Sequence, residues 1–131
     1  MSDEKTQGGC CSGVAKPIVL TCSGASNLGR MADLAARKMT ADGIAQMSCL
    51  AGVAGGVQMM LDALAAAPAV LVLDGCDYEC GRKVMEKAGY TDFHQLRLDQ
   101  MGMKRGETPV TGENVQRVVA EGAKLLGVAL S

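Results

Sequence analysis

Aromatic residues are nearly missing from this 131-residue chain, which has no tryptophan, two tyrosines and one phenylalanine. There is thus no platform for stacking exposed bases, and the net charge of −1 supplies no basic field for a phosphate backbone. No nucleic-acid partner is expected. Long apolar runs are missing as well: the longest, Ala63 to Leu73, is interrupted by Pro68 and falls well short of the roughly 20 residues that cross a bilayer. No membrane partner is expected either. The opening stretch, Met1 to Gln7, is polar and lacks the apolar segment of a secretory signal, which points to a cytoplasmic protein.

What the chain does have is sulfur. Six cysteines in a reducing compartment read as metal ligands or reactive thiols rather than as disulfides. A single domain of this length needs no such staple. Cys22, Cys49 and Cys76 stand 27 residues apart both times, about one strand-plus-helix unit, and each follows a short apolar run. Cys80 follows Cys76 by four residues.

Residues 1–16 combine charge, glycine and the adjacent pair Cys10 and Cys11 without an apolar period, and read as a flexible tail ahead of a domain over 17–131. Ile18 to Thr21, Ile44 to Ser48 and Ala69 to Leu73 are apolar, β-prone runs of the kind covered on both faces. Between them Leu28, Met31, Ala32, Ala35 and Met39 recur at helical spacing behind a capping Ser26, as do Val57, Met60, Leu61 and Leu64 ahead of Pro68. Asp77 is the expected cap of a third helix with Cys80 in its first turn. Phe93, Leu96 and Leu98 suggest a fourth strand, and Val115, Val118, Val119 and Leu126 a last helix.

The order βαβαβαβα with right-handed crossovers predicts a single three-layer α/β domain, Rossmann- or flavodoxin-like, with a four-stranded parallel sheet, whose order we take as 2-1-3-4. Such sheets hold ligands outside the carboxyl ends of their strands, and this order makes the ends carrying Cys22, Cys49 and Cys76 neighbours. His94, the only histidine, falls at the opposite edge and reads as structural or exposed. Asp74 and Asp99 fall at strand ends and are candidates to hydrogen-bond around the thiols.

With Cys80 the thiols number four, which suits tetrahedral zinc at bond lengths of roughly 2.3 Å. The one close pair is CxxxC rather than CxxC, so convergence at the sheet edge carries more of the argument than spacing. The segments TCSGASNLGR (Thr21 to Arg30), SCLAGVAGG (Ser48 to Gly56) and DGCDYEC (Asp74 to Cys80) resemble the DGC-domain family of bacteria and archaea, named for its Asp-Gly-Cys. KAGY, from Lys87 to Tyr90, and the turn Thr108-Pro109-Val110-Thr111 are similar too. The resemblance runs from about Pro17 to Leu126. It implies a zinc-binding role for Cys22, Cys49, Cys76 and Cys80, and a metal ion as the partner. It implies no reaction, so no catalytic residue is assigned, and it does not reach Cys10 and Cys11.

The rival reading is a thiol-dependent redox or sulfur-transfer enzyme that uses the same cysteines, with Cys76 and Cys80 as attacking and resolving thiols. A phosphate loop of the low-molecular-weight phosphatase type needs Cys-x5-Arg, whereas here position 28 is leucine and the arginine is Arg30. The glycines from Gly24 to Gly29 and from Gly52 to Gly56 match neither GxGxxG nor GxxxxGK[ST], which argues against a nucleotide site. Cys10 and Cys11 could deliver a soft ion or sulfur to the cluster, or be incidental. The residues name no protein partner.

Overall fold

The structure, a computed structural model, describes residues 15–130. The expected tail with Cys10 and Cys11 lies outside the described residues, except for its last two positions. From Ile18 the chain alternates strand and helix. β1 (Ile18–Thr21) leads to α1 (Asn27–Ala41), and β2 (Gln46–Met47) to α2 (Leu50–Ala54) and α3 (Gln58–Ala66). β3 (Val70–Asp74) precedes α4 (Cys80–Lys87), and β4 (His94–Arg97) runs into a single 3-10 turn, Leu98–Met101, before α5 (Gly112–Leu126). All pairings are parallel, as the crossovers predicted, and the sheet order is β2-β1-β3-β4, the order assumed from the sequence.

Both faces of the sheet are covered, which is why its central strands are apolar without alternation. Val19, Leu71 and Leu73 face α1 and α5, packing on Leu28, Met31, Met39, Val118 and Val119. Ile18, Leu20, Val70 and Val72 face the other way, toward Val53 of α2, Leu64 of α3 and Met85 of α4. Burial of each such side chain contributes about 1.5–3 kcal/mol. α1 begins where the sequence said it should: the Ser26 hydroxyl accepts from Gly29 N at 3.1 Å. Among the described residues no helix is long and apolar enough to cross a membrane.

Several details differ from expectation. β2 is two residues long, not five: Ile44 N turns back to the Met39 carbonyl at 2.9 Å before it, α2 starts at Leu50 after it, and the end of α1 takes its outward donors. Ala45 N donates to the Met39 carbonyl at 3.4 Å and Met47 N to Thr40 Oγ1 at 2.9 Å. The five-residue α2 was not foreseen, nor was Cys49 as the residue preceding it. α4 is not capped by Asp77; the residue before it is Glu79, in a left-handed conformation at φ 53°, and its side chain makes no cap bond. Leu98 belongs to the 3-10 turn rather than to β4, and Asp99 with it.

Candidate functional site

Strand register sets where the thiols stand. Thr21 pairs with Leu73 across β1 and β3, and Cys22 N continues that ladder to the Leu73 carbonyl at 3.1 Å. Cys22 is therefore level with Asp74, and Cys76 lies two residues further along. On the other side Val19 pairs with Met47, which puts Cys49 level with Thr21. Three thiols thus follow three neighbouring strands at one sheet edge, and Cys80 opens α4 beside them. All four are free; Cys22 and Cys76 are half-buried, Cys49 and Cys80 exposed. Among the described residues no three His, Cys, Asp or Glu side chains stand close enough together to hold a metal ion.

Two of the thiols share a cavity. Beyond the short β2 nothing of the sheet separates the helical layers, and an open cleft of about 1110 Å³ lies there, with Cys22 and Cys49 in its wall. Met47, Met60 and Val84 give it an apolar side. Its polar side is the Asp33–Arg37 ion pair at 2.7 Å, whose carboxylate also accepts from Ser23 Oγ at 3.0 Å. Ser23, directly after Cys22, is left-handed at φ 47° and its hydroxyl is bonded to that of Thr21. Non-glycine residues seldom adopt this conformation, and the two that do among the described residues, Ser23 and Glu79, each adjoin a cysteine.

The Asp-Gly-Cys turn is built around a buried carboxylate. Asp74 is 1% exposed and accepts from Gly81 N at 2.7 Å, Arg82 N at 3.1 Å and Gln95 Nε2 at 3.0 Å. It caps α4 from the end of β3, doing what the Glu79 side chain does not, and so ties the strand preceding Cys76 to the helix that Cys80 opens. Gly75 and Gly81 permit the approach. A Cβ on Gly75 would lie 3.0 Å from the backbone of Leu28, and one on Gly81 would lie 2.5 Å from Val72 Cγ1 and 2.8 Å from Asp74 Oδ1.

Behind this cap lies a charge network that sequence reasoning missed. Glu79 receives Arg82 Nη2 at 2.7 Å and Arg82 Nε at 3.1 Å, and Gln95 Nε2 at 3.0 Å. Gln95 therefore bridges the carboxylates of Asp74 and Glu79. The hydrogen bond from Arg82, then that from Gln95, hold the Glu79 carboxyl down at about 2. Arg97 pairs with Asp99 at 2.6 Å, so Asp99 is engaged beside the thiols rather than with them.

The remaining rim is the loop after the 3-10 turn. Asn27 Nδ2 donates to the carbonyls of Lys104 at 3.1 Å and Thr108 at 2.7 Å, and its Oδ1 accepts from Gly106 N at 2.7 Å. This staple carries Arg105 over the Tyr78 ring, 5.2 Å from its centroid. The hydrogen bond with the Tyr78 side chain is the largest cause that pushes the Arg105 pKa up. A cation therefore stands over Tyr78, two residues after Cys76 in the chain. The signal for it lay in the sequence as a polar loop with no assigned role.

Comparison with known proteins agrees with the motifs. The DGC domain model matches residues 18–121. The chain is 30% identical over 112 residues to the anaerobic and virulence modulator AnvM of Pseudomonas aeruginosa PAO1, an alignment covering 84% of this chain and 85% of that protein. No solved structure matches.

Proposed function

The chain belongs to the DGC-domain family, and from that premise we propose that it binds one zinc or similarly soft ion through Cys22, Cys49, Cys76 and Cys80, in metal handling, sensing or structural stabilisation. The observation that carries this reading is the register: three neighbouring strands deliver a cysteine each to one edge, and the fourth opens the adjacent helix. The donor set suits the ion, since thiolates alone satisfy tetrahedral zinc and no histidine is needed. Such a shell would carry a net negative charge, which Arg105, held over Tyr78 two residues from Cys76, would help to offset. Drawing the four sulfurs into bonding distance asks for movement of the turns after β1 and β3, where Ser23 and Glu79 are already left-handed. The ion's contribution is to cross-link those turns. The protein's own part is to hold Cys76 and Cys80 in fixed relation through Asp74.

The name of the Pseudomonas relative describes a modulator, which favours sensing or handling over turnover. A second reading, thiol-dependent redox or sulfur transfer, draws support from the cleft, where Cys22 and the exposed Cys49 face a space larger than an ion requires. Metal analysis of anaerobically purified protein separates the two. The zinc reading expects near one zinc per chain, lost in Cys76→Ser; no metal together with fast-reacting thiols would contradict it and support the second reading.

A further inference from the structure

The cleft that Cys22 and Cys49 share, about 1110 Å³, has room for a small organic molecule, and its wall holds a charge as well as thiols. Helix α1 returns antiparallel to the strands it connects, so its earlier residues stand nearer the carboxyl edge of the sheet. Thr40 is level with Met47, whose N–H its hydroxyl accepts at 2.9 Å. Arg37, three residues before Thr40, stands about 4.5 Å nearer that edge. Beyond Met47 the chain stays extended, with Ser48 N donating to the Val19 carbonyl at 2.9 Å, so Cys49 stands about 6.6 Å nearer the same edge. Arg37 and Cys49 are thus at nearly the same height, and both line the cleft.

Asp33 orients the guanidinium without occupying all of it. Its Oδ2 accepts from Arg37 Nε at 2.7 Å, and its Oδ1 from Ser23 Oγ at 3.0 Å. Among the described residues the two terminal nitrogens of Arg37 make no hydrogen bond, and such a pair can grip a carboxylate bidentately. Cys49 supplies an exposed thiol, and Met47 and Met60 supply a soft apolar wall. A fork for a carboxylate and a nucleophilic sulfur therefore serve one space.

We propose that the cleft of the metal-free chain binds small disulfides bearing a carboxylate, with Arg37 holding the carboxylate while Cys49 exchanges with the sulfur. This rests on the thiol-dependent reading and names its substrate class. The Cys49 thiolate attacks one sulfur of the disulfide; a new S–S bond forms, the original one breaks, and the departing small thiolate takes a proton from water. Cys49 is oxidised to a mixed disulfide and the departing half is reduced to a thiol. The test uses the full chain, stripped by chelator and reduced, with dithiodiglycolate as the anionic probe and hydroxyethyl disulfide as the neutral one. Mass spectrometry follows Cys49, and each rate is divided by that of the same cysteine in the urea-unfolded chain. The anionic probe should then exceed the neutral one by about fivefold, and the ratio should fall toward one at high salt. Arg37→Gln should bring it near one, Arg37→Lys should restore part of it, and Lys124→Gln, the same charge change on α5, should keep it. A wild-type ratio near one, or one unchanged in Arg37→Gln, overturns the proposal and leaves the thiol-dependent reading standing. Exchange at Cys49 slower with both probes than in the unfolded chain sinks the two together.

Discussion

At the scale of single residues, Asp74 has the most to lose. It is buried, and its carboxylate accepts two α4 backbone donors and the Gln95 amide. Asp74→Ala leaves the buried Gly81 N without its acceptor and removes one bond each from Arg82 N and from Gln95, which keeps Glu79, and a loss of about 2–4 kcal/mol is expected in urea unfolding. Asp74→Asn, which keeps one carbonyl oxygen, should lose about half of that. Glu79 makes a prediction in pH. Its carboxyl is held near 2 when folded against about 4.5 otherwise, so the stabilisation is present above 4.5 and lost as pH falls toward 2. Wild type should exceed Glu79→Gln in stability at pH 6, and the gap should close by pH 2; a gap that persists at pH 2 would contradict this assignment.

At the scale of elements, the α4 entrance depends on close approach. Gly81→Ala drives a Cβ into Val72 Cγ1 and Asp74 Oδ1, and a cost of about 1–3 kcal/mol is expected from overpacking. Thermal unfolding measures it, and a neutral variant would show that α4 can shift away freely. The same entrance marks the limit of what sequence conveys. Strands β1 and β3 and helices α1 and α5 were legible because continuous apolar runs and helical periodicity are local signals, as was the Ser26 cap. The α4 cap was not, since its acceptor sits on another element seven residues before Gly81. α2 was missed because five residues are too few for a period to declare itself. The Asn27 staple joins residues 77 to 81 positions apart, a distance at which no pattern in one sequence announces a contact.

At the scale of the whole molecule, the 27-residue step and the sheet order reinforce each other. Equal strand-plus-helix units bring the thiols to the same sheet edge, within about three residues of one level, and the position of β1 between β2 and β3 makes their strands neighbours. That much of the site was written in the spacing. The half-buried or exposed state of each thiol, and the sharing of one cleft by Cys22 and Cys49, came only with side-chain packing. The central claim is that Cys22, Cys49, Cys76 and Cys80 act as one ligand set, and differential alkylation tests it most directly. In the Cys10→Ser, Cys11→Ser background, each remaining cysteine is followed by mass spectrometry with and without one equivalent of zinc. The account predicts that zinc slows all four together by at least about tenfold and that chelator restores every rate. Alkylation unaffected by zinc, or protection of only a pair such as Cys22 and Cys49, would contradict it.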